Sequence, residues 1–361
     1  MKNVLILFGG KSSEHEVSCI SAVTIAQAVD KSRYNVIFVG ITKDGRWLQV
    51  KDIETIRTGD WRYSRRRAVL TPDKNHDLII MEGDSYEDSV YVESVHIDVA
   101  FPALHGLFGE DGTIQGLFEM AALPYVGCGH LSSAITMDKF FTKVIADSIN
   151  VAQADYVGVR DYEVTDENME ELVKKIESLR EYPMFIKPSN AGSSMGITKA
   201  HNRDELIEGL KLAAKHDSKI LVEESIDGRE IECAVYGYGD NAFATGVGEI
   251  LPAAEFYDFD AKYNNSDSVT MMDPELPDGK EDEIREVAVA IYRACDCFGL
   301  SRVDFFLEKG TDRVVFNEIN TIPGHTSISM YPMLMERAGH PMSEYINSLI
   351  ELAYERHNYD A

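Results

Sequence analysis

Apolar runs of strand length alternate with helically spaced apolar residues through the first third of the chain. A strand, a helix and a second strand in this order predict parallel strands and hence an α/β unit. The predicted elements are strands at 4–8 and 36–41 with a helix around 25–29 between them, a strand at 97–103, a helix around 117–120 and a short strand at 124–127. A turn at Asp44-Gly45 leads into Trp47-Leu48, and from there to about Ser94 the sequence is acidic and poorly patterned.

The middle of the chain predicts a second unit. Its clearest helix carries Met169, Leu172, Val173 and Ile176 at the i, i+3, i+4, i+7 spacing of one buried stripe. The other predicted elements are a helix at 137–149 and strands at 154–157, 184–187 and 220–222. We interpret the stripe as core and assign it no function.

The last third predicts another unit with one long interruption. A strand at 231–236 begins it, and a helix at 284–291 precedes two strands that are joined through 309–312. Residues 249–280 show no sustained periodicity. Because so long a loop is uncommon inside a compact domain, this span is expected to be a lid or disordered.

Composition excludes several classes of protein. The chain has 361 residues, enough for two or three domains, and its formal net charge of −26 argues against nucleic acid or an anionic membrane as the main partner. No apolar run approaches the roughly 18 residues of a membrane span, and the apolar start does not make a signal peptide. Five scattered cysteines predict buried thiols and a reducing cytoplasm.

The two strands that follow the last predicted helix carry polar residues at every second position. Arg302 and Asp304 share one face of the first strand, and Glu318 and Asn320 share one face of the second. If the strands form a hairpin, these side chains converge. Carboxylate and amide oxygens without sulfur or imidazole suit Mg²⁺. The alternative is a solvated strand face with a salt bridge.

A lysine and a small-residue loop form a second candidate site. Lys187 ends a predicted strand and precedes the Gly/Ser-rich segment 188–196, whose N–H groups and hydroxyls could hold phosphates. The spacing is not that of a Walker loop, and an ordinary glycine turn is the alternative. Gly9-Gly10 also follows a strand, but it lacks the spacing of a dinucleotide fingerprint.

Taken together, the motifs resemble those of the D-alanine:D-alanine ligases. The similar segments occur in the family's order and leave only about 50–95 and 265–282 with little resemblance. They are 9–18, 105–106 with 109–112, 137–139, 185–188 with 192–196, 255–263, 301–304, and 317–324 with Ser327 and Ser329.

The resemblance implies the α/β ATP-grasp fold, in which three α/β domains hold ATP between the central and C-terminal domains. The expected ranges are 1–128 for the N-terminal domain, 129–223 for the central domain and 224–361 for the C-terminal domain, with a lid loop at about 249–280. ATP and Mg²⁺ are the implied cofactors, with two ions expected and Mn²⁺ able to substitute. Small D-amino acids are the implied substrates, and a cytoplasmic homodimer is the implied assembly.

The family's site residues can be matched to this sequence. Those matched to ATP binding are Lys139, Lys187, Ser194 and Lys262 for the phosphates, Phe256 for the adenine, and Glu223, Glu224, Ile226 and Glu230 for the base and ribose. Those matched to Mg²⁺ are Asp304, Glu318 and Asn320. The alternatives without ligand binding are solvated strand-end charges at Glu223 and Glu224, and a core contact for Phe256.

The implied reaction is the ATP-dependent joining of two D-alanines through a D-alanyl phosphate, for peptidoglycan precursor synthesis. The residues matched to the first substrate are Glu14, Val17 and His105, and the pair matched to the tetrahedral oxyanion is Arg302 and the N–H of Gly324. Ser329 would bind the second substrate's carboxylate, while Ser193 and Tyr263 would link the loop to the lid. Glu14 could also be only a helix-start acid.

Other functions are kept beside this one. Lys262-Tyr263 disfavours D-lactate, whereas Met330, in place of the usual Leu, leaves a D-alanine:D-serine ligase as the first alternative. Another ATP-grasp carboxylate–amine ligase and a non-catalytic nucleotide sensor are further alternatives. The complete set of Arg302, Asp304, Glu318 and Asn320 argues against the sensor. His325, usually an apolar residue in the family, is given no role.

Overall fold

The structure is a computed structural model, and it describes residues 1–83, 90–190, 192, 196–251 and 269–360. Within this part, strands form three separate sheets with helices packed against them. The helices are His15–Ala28 (α1), Ile53–Thr58 (α2), Thr113–Met120 (α3), His130–Met137 (α4), Lys139–Ser148 (α5), Met169–Glu177 (α6), Arg203–Ala213 (α7), Lys280–Ala294 (α8), Met330–Arg337 (α9) and Met342–Asp360 (α10). No helix of the described part is both long enough and apolar enough to cross a membrane.

The first sheet is only partly parallel. Its seven described strands are Lys2–Gly9 (β1), Tyr34–Ile41 (β2), Trp47–Val50 (β3), Arg66–Leu70 (β4), Asp77–Glu82 (β5), Tyr91–His96 (β6) and Val99–Pro102 (β7). They lie in the order β6-β5-β4-β3-β2-β1-β7, and β1 is parallel to both β2 and β7. The strand-helix-strand prediction is therefore confirmed. Strand β1 is an unbroken apolar run because both faces of this part of the sheet are covered.

Two predictions for this unit are wrong. The stretch taken as unpatterned contains α2 and β4–β6, which extend the sheet through antiparallel pairs. Strand β6 is largely exposed, so no apolar alternation marks it in the sequence. The segment 124–127 is not a strand, because Tyr125 makes only one isolated bridge, to Ala100.

The second sheet is antiparallel. Its strands are Tyr156–Arg160 (β8), Met184–Pro188 (β9), Thr198–Ala200 (β10) and Lys219–Glu224 (β11), in the order β10-β9-β11-β8. The predicted stripe on α6 packs into its core as expected. The strand predicted at 154–157 begins later, at Tyr156. The helix predicted at 137–149 is confirmed as α5, but it begins at Lys139, because Asp138 leaves the helical conformation and its side chain caps α5 by accepting a hydrogen bond from the Phe141 N–H.

The third sheet carries the predicted hairpin. Its strands are Gly228–Gly237 (β12), Phe243–Leu251 (β13), Val269–Met272 (β14), Gly299–Glu308 (β15) and Val314–Asn320 (β16), in the order β14-β13-β12-β15-β16. Part of the span predicted to be unpatterned is therefore strand, since β13 extends to Leu251 and pairs with β14. Residues 252–268 lie outside the described part, and the lid prediction falls largely on them.

The last two helices, α9 and α10, pack against the first unit. A single cluster of buried apolar side chains contains Phe8 and Ile25 of the first unit together with Tyr331 and Ile346 of α9 and α10. Helix α10 contacts α1 and β7. The first unit is thus fixed against the segment that follows β16. This packing brings the loops of the first unit to the edge of the third sheet. The domain ranges 1–128, 129–223 and 224–361 remain predictions.

Candidate active site

The hairpin β15–β16 brings four predicted polar side chains together. Arg302 pairs with Asn320, and Asp304 pairs with Glu318. Two nitrogens of Arg302, Nε and Nη2, lie 2.7 Å from the two carboxylate oxygens of Asp304, and Asn320 Nδ2 lies 3.1 Å from Asp304 Oδ2. Val303, whose side chain points the other way, is fully buried in the core. The predicted convergence is confirmed.

A buried arginine dominates the charge of this face. Burial lowers the pKa of Arg302, but Asp304 and Glu232 more than reverse that effect and hold the pKa well above its ordinary value. Glu232 lies on β12, opposite Asp304, and its Oε2 is 3.1 Å from Arg302 Nε. The guanidinium therefore stays charged and fixed between two carboxylates.

Two lysines bracket one buried carboxylate in the second sheet. Lys187 Nζ lies 2.5 Å from Glu223 Oε2, and Lys143 Nζ lies 3.1 Å from Glu223 Oε1. Lys143 also donates to the carbonyl of Ala154 at 3.2 Å. Burial raises the pKa of Glu223, but the two lysines outweigh it and lower the pKa to about 2. Glu223 is therefore ionised at neutral pH and can only accept hydrogen bonds from a ligand.

The start of α5 connects the second sheet to the third. Lys139 Nζ lies 3.3 Å from Glu318 Oε2, and the Lys139 N–H donates to the Ser189 carbonyl at 3.0 Å. Ser189 Oγ donates to Asp138 at 2.6 Å, and Lys219 pairs with the same carboxylate. Lys139 is thus fixed between the hairpin and the segment that follows Lys187.

Loops of the first unit approach these groups. A Cβ added at Gly106 would lie 2.6 Å from Glu14 Oε2, and one added at Gly192 would lie 3.1 Å from the same oxygen. Gly106 has a φ of +71°, a conformation that glycine adopts at little cost. The structure therefore places Glu14 between the loop after β7 and the segment after Lys187. Val17, half-buried, lies one turn further along α1.

A chain of hydrogen bonds joins the first unit to the loop after β16. His105 Nδ1 lies 2.8 Å from the carbonyl of Ile322, so this nitrogen carries the proton, and Nε2 accepts from Ser21 Oγ at 2.9 Å. Burial lowers the pKa of His105 and keeps the ring neutral. Ser21 Oγ also accepts from the His325 N–H at 3.1 Å, and the His325 ring contacts the Pro323 carbonyl.

Glu110 adds a second bridge beside the first. Its Oε2 accepts from the Gly106 N–H at 2.7 Å, and its Oε1 accepts from the Ile322 N–H at 3.1 Å. Burial and the nearby Glu14 carboxylate raise the pKa of Glu110 to about 8, against the effect of the two N–H donors. The backbone immediately before Pro323-Gly324 is thus held by two side chains of the first unit.

Ser329 and Met330 lie at the start of α9. Ser329 Oγ accepts from the Thr326 N–H at 3.0 Å, and a Cβ added at Gly324 would lie 2.8 Å from this hydroxyl. Met330 is buried and packs so closely on Gly248 that a Cβ there has no room. The structure therefore brings Ser329 to Gly324.

The other predicted residues divide into two groups. Glu224 Oε1 accepts from the Asp155 N–H at 3.0 Å. Ile226, between β11 and β12, and Glu230, on β12, are both half-buried. The predicted residues that lie outside the described part are Ser193, Ser194, Phe256, Lys262 and Tyr263.

Comparisons with known proteins agree with this arrangement. The family model for the D-ala D-ala ligase N-terminus matches residues 3–128, and the model for the D-ala D-ala ligase C-terminus matches 145–351. The D-alanine–D-alanine ligase of Ruminiclostridium cellulolyticum is 48% identical over 99% of this chain and 96% of the relative. The chain belongs to the D-alanine–D-alanine ligase family.

Solved structures of the family have the same fold. The D-Ala:D-Ser ligase VanG from Enterococcus faecalis is 36% identical, with a TM-score of 0.86 over 98% of this chain and 99% of that one. The D-alanine-D-alanine ligase from Coxiella burnetii is 30% identical, with a TM-score of 0.83 over 99% and 95%. The predicted ATP-grasp fold and the predicted ATP-dependent ligase class are confirmed.

Three residues of this family member escaped the sequence analysis as site residues. They are Lys143, Glu110 and Glu232. Glu223 contacts Lys143, and Arg302 contacts Glu232. Glu110 accepts hydrogen bonds from the backbone N–H groups of Gly106 and Ile322. Glu223, Ile322 and Arg302 lie far from these residues in the sequence, so no local spacing marks those pairs, whereas Gly106 lies four positions from Glu110. For Glu232 a signal exists, because it alternates with buried Ile231 and Cys233 on β12, as Asp304 does on β15.

Proposed function

We propose that this protein joins two D-alanines into D-alanyl-D-alanine, with ATP converted to ADP, as a step in peptidoglycan precursor synthesis. The observation that carries the proposal is the convergence of Arg302, Asp304, Glu318 and Asn320 on one face, with Lys139 at its edge. A ligase of this class needs a cationic, oxygen-lined site where a phosphoryl group can be transferred to a carboxylate.

The side chains at the hairpin fit Mg²⁺. The donors are carboxylate and amide oxygens, and Asp304 and Asn320 already contact each other. Bound Mg²⁺ would neutralise negative charge on the phosphates of ATP. We extend the proposal to two ions and to Mn²⁺ as a substitute, both held by Asp304, Glu318 and Asn320.

Nucleotide binding follows from the lysines and the acidic strand end. Lys139 and Lys187 supply positive charge for phosphates, and we assign Ser194 and Lys262 to the same group. Glu223 is held ionised by Lys143 and Lys187, so it accepts a hydrogen bond from an amino group such as that of adenine. The residues assigned with it to the base and ribose are Glu224, Ile226, Glu230 and Phe256.

The first D-alanine would be oriented by the first unit. Glu14 pairs with its ammonium group and Val17 contacts its methyl group. Both ring nitrogens of His105 bind within the protein, so His105 acts on the substrate site by fixing Ile322. Transfer of the γ-phosphoryl group to the substrate carboxylate gives an acyl phosphate, which activates the carbonyl carbon for attack.

The amine of the second D-alanine then attacks that carbon, and inorganic phosphate leaves. Arg302 and the Gly324 N–H stabilise the oxyanion, a type of contact for which losing one donor costs about 3 kcal/mol of barrier. Ser329 binds the second substrate's carboxylate, and Met330 forms part of the wall of its pocket. Ser193 and Tyr263 link the loop and lid, which excludes water from the acyl phosphate.

A D-alanine:D-serine ligase is the second candidate. Similarity to VanG, whose described activity is D-Ala:D-Ser ligation, favours it. Against it, Met330 is an apolar side chain packed on Gly248, so this position offers no strong hydrogen-bonding group to a serine hydroxyl. We also propose a homodimer, on the family pattern, and a reducing cytoplasm as its location, which five buried free thiols support.

The test is D-amino-acid-dependent ADP release by purified protein with Mg²⁺-ATP, with products identified by mass. We expect dialanine from D-alanine alone, and no loss of dialanine when equimolar D-serine or D-lactate is added. L-alanine is the matched control and should give no ADP above background. A dominant D-alanyl-D-serine product would establish the second candidate, and no D-alanine-dependent ADP would refute both.

A further inference from the structure

Three carboxylates stand in a row across the third sheet. Glu232 on β12 pairs with Asp304 on β15, and Asp304 pairs with Glu318 on β16. Paired residues of neighbouring strands point to the same face, so the three carboxylates share the active-site face. Like charges side by side are destabilising, and the structure places Arg302 between the first two and Lys139 beside the third.

Arg302 is held unequally by its two neighbours. It contacts both oxygens of Asp304 at 2.7 Å, whereas its Nε lies 3.1 Å from Glu232 Oε2. Asp304 also accepts from Asn320, so both of its oxygens have protein partners. Arg302 and Glu232 expose only 19% and 12% of their side chains, so neither can turn into water to find another partner.

The proposed function asks Asp304 to serve a second cation. A carboxylate oxygen that binds a divalent ion gives up part of its interaction with the guanidinium, and a buried arginine left without a carboxylate is unfavourable. Glu232 lies on the opposite side of Asp304 from Glu318, because the strand order is β12-β15-β16. It can therefore keep Arg302 in place from the side away from the predicted metal ligands.

We propose, resting on the function proposed above, that Glu232 is a positioning residue that retains Arg302 in the active site when Asp304 binds a metal ion. With Glu232 present, the guanidinium can move its contacts towards Glu232 and release Asp304. Without this carboxylate, Arg302 depends more strongly on Asp304 and competes with the metal ion for it.

Glu232→Gln tests this, and Glu249→Gln is the matched control. Glu249 is also a buried carboxylate on the same sheet, and it contacts two nitrogens of Arg229 at 2.8 and 2.7 Å. It pairs with core residue Ile231, so it lies on the other face of the sheet. The measurements are kcat and KM for D-alanine-dependent ADP release, Mn²⁺ binding by electron paramagnetic resonance with ADP present, and the melting temperature.

We expect Glu232→Gln to lower kcat about 10- to 100-fold, with KM for ATP changed less than about twofold, because the loss falls on transition-state stabilisation. The Mn²⁺ dissociation constant should rise about fivefold or more. The reason is that Arg302 then keeps a charge-assisted contact with Asp304 that it would otherwise make with Glu232. Glu249→Gln should leave kcat and Mn²⁺ affinity within about twofold of the wild type. Glu232→Asp, which keeps the charge, should recover most of the Mn²⁺ affinity.

Several outcomes overturn the proposal. Unchanged Mn²⁺ affinity in Glu232→Gln does so, even with a lower kcat, and so does equal damage in both Gln variants in proportion to their melting temperatures. If Glu232→Gln does not fold, wild-type Mn²⁺ affinity must persist in Glu232→Asp, and its loss counts against us. Wild-type protein that binds Mn²⁺ without D-alanine-dependent ADP release would refute the proposed function, while the Mn²⁺ titrations of the variants still decide the role of Glu232.

Discussion

Replacing Lys143 by methionine should destabilise the protein measurably. In the wild type Lys143 and Lys187 share the Glu223 carboxylate, and all three side chains are largely buried. Methionine fills much the same volume as lysine but leaves one oxygen of Glu223 and the carbonyl of Ala154 without a donor. The perturbation therefore tests the buried ion pair rather than the packing.

The size of the effect follows from the pKa of Glu223. A fall from the usual 4.5 to about 2 corresponds to about 3 kcal/mol of stability at neutral pH. Burial lowers the pKa of Lys143, which offsets part of this gain. Lys187 also remains in the variant, so we expect a loss of about 2 kcal/mol in the free energy of unfolding.

Chemical unfolding of Lys143→Met and the wild type, followed at several pH values, measures this loss. Because the pKa of Glu223 is depressed, its stabilisation is complete above about 4.5 and disappears as the pH falls towards about 2. The difference between the two proteins should therefore shrink across that window. The KM for ATP should rise, since Glu223 keeps only one of its two described lysine partners.

Lys174→Met is the matched control. Lys174 pairs with Glu170 one helical turn away, and both side chains are about two-thirds exposed. Such a pair contributes at most about 0.5 kcal/mol. If Lys143→Met costs no more than Lys174→Met, or if its cost is the same at pH 3 as at pH 7, the buried pair does not stabilise the protein as argued.

Three further variants probe the site. Asp304→Asn should lower kcat for ADP release at least about 100-fold without altering the far-UV spectrum, and retained activity would remove Asp304 from the metal site. Glu110 has a pKa raised to about 8, so its contribution to stability is lost as the pH rises from about 4.5 through about 8. The melting temperature of the wild type should therefore fall over that range relative to that of Glu110→Gln. Melting temperatures that change in parallel with pH in the two proteins would contradict this. Met330→Leu keeps the volume and should retain dialanine as the main product by mass, with a change in KM of less than about threefold.

The sequence predicted the convergence of polar residues on the hairpin well because that convergence depends on local geometry. Alternation along a strand decides which way a side chain points, so Arg302, Asp304, Glu318 and Asn320 could be assigned to one face once the turn at 309–312 was recognised. The core stripe of α6 followed from helical spacing in the same way. The family resemblance then supplied roles that alternation alone does not provide.

The errors have physical causes as well. Strand β6 is largely exposed, so it lacks the alternation that marks a half-buried strand. At Asp138 a side-chain cap interrupts an otherwise continuous helical pattern. The pairs Lys143–Glu223 and Glu110–Ile322 join residues that lie far apart in the sequence, and only the tertiary packing brings them together.

The hydrogen bond between His105 and the Ile322 carbonyl spans 217 positions of the chain. Together with Ser21 and His325, it ties the turn at Pro323-Gly324 to side chains of the first unit. Construction of chimeras within the family should therefore exchange the first third and the loop after β16 as one module. We expect a chimera that keeps His325 but loses Ser21 to fold its second and third sheets. Its turn at Pro323-Gly324 would lack the serine that holds it in the present structure.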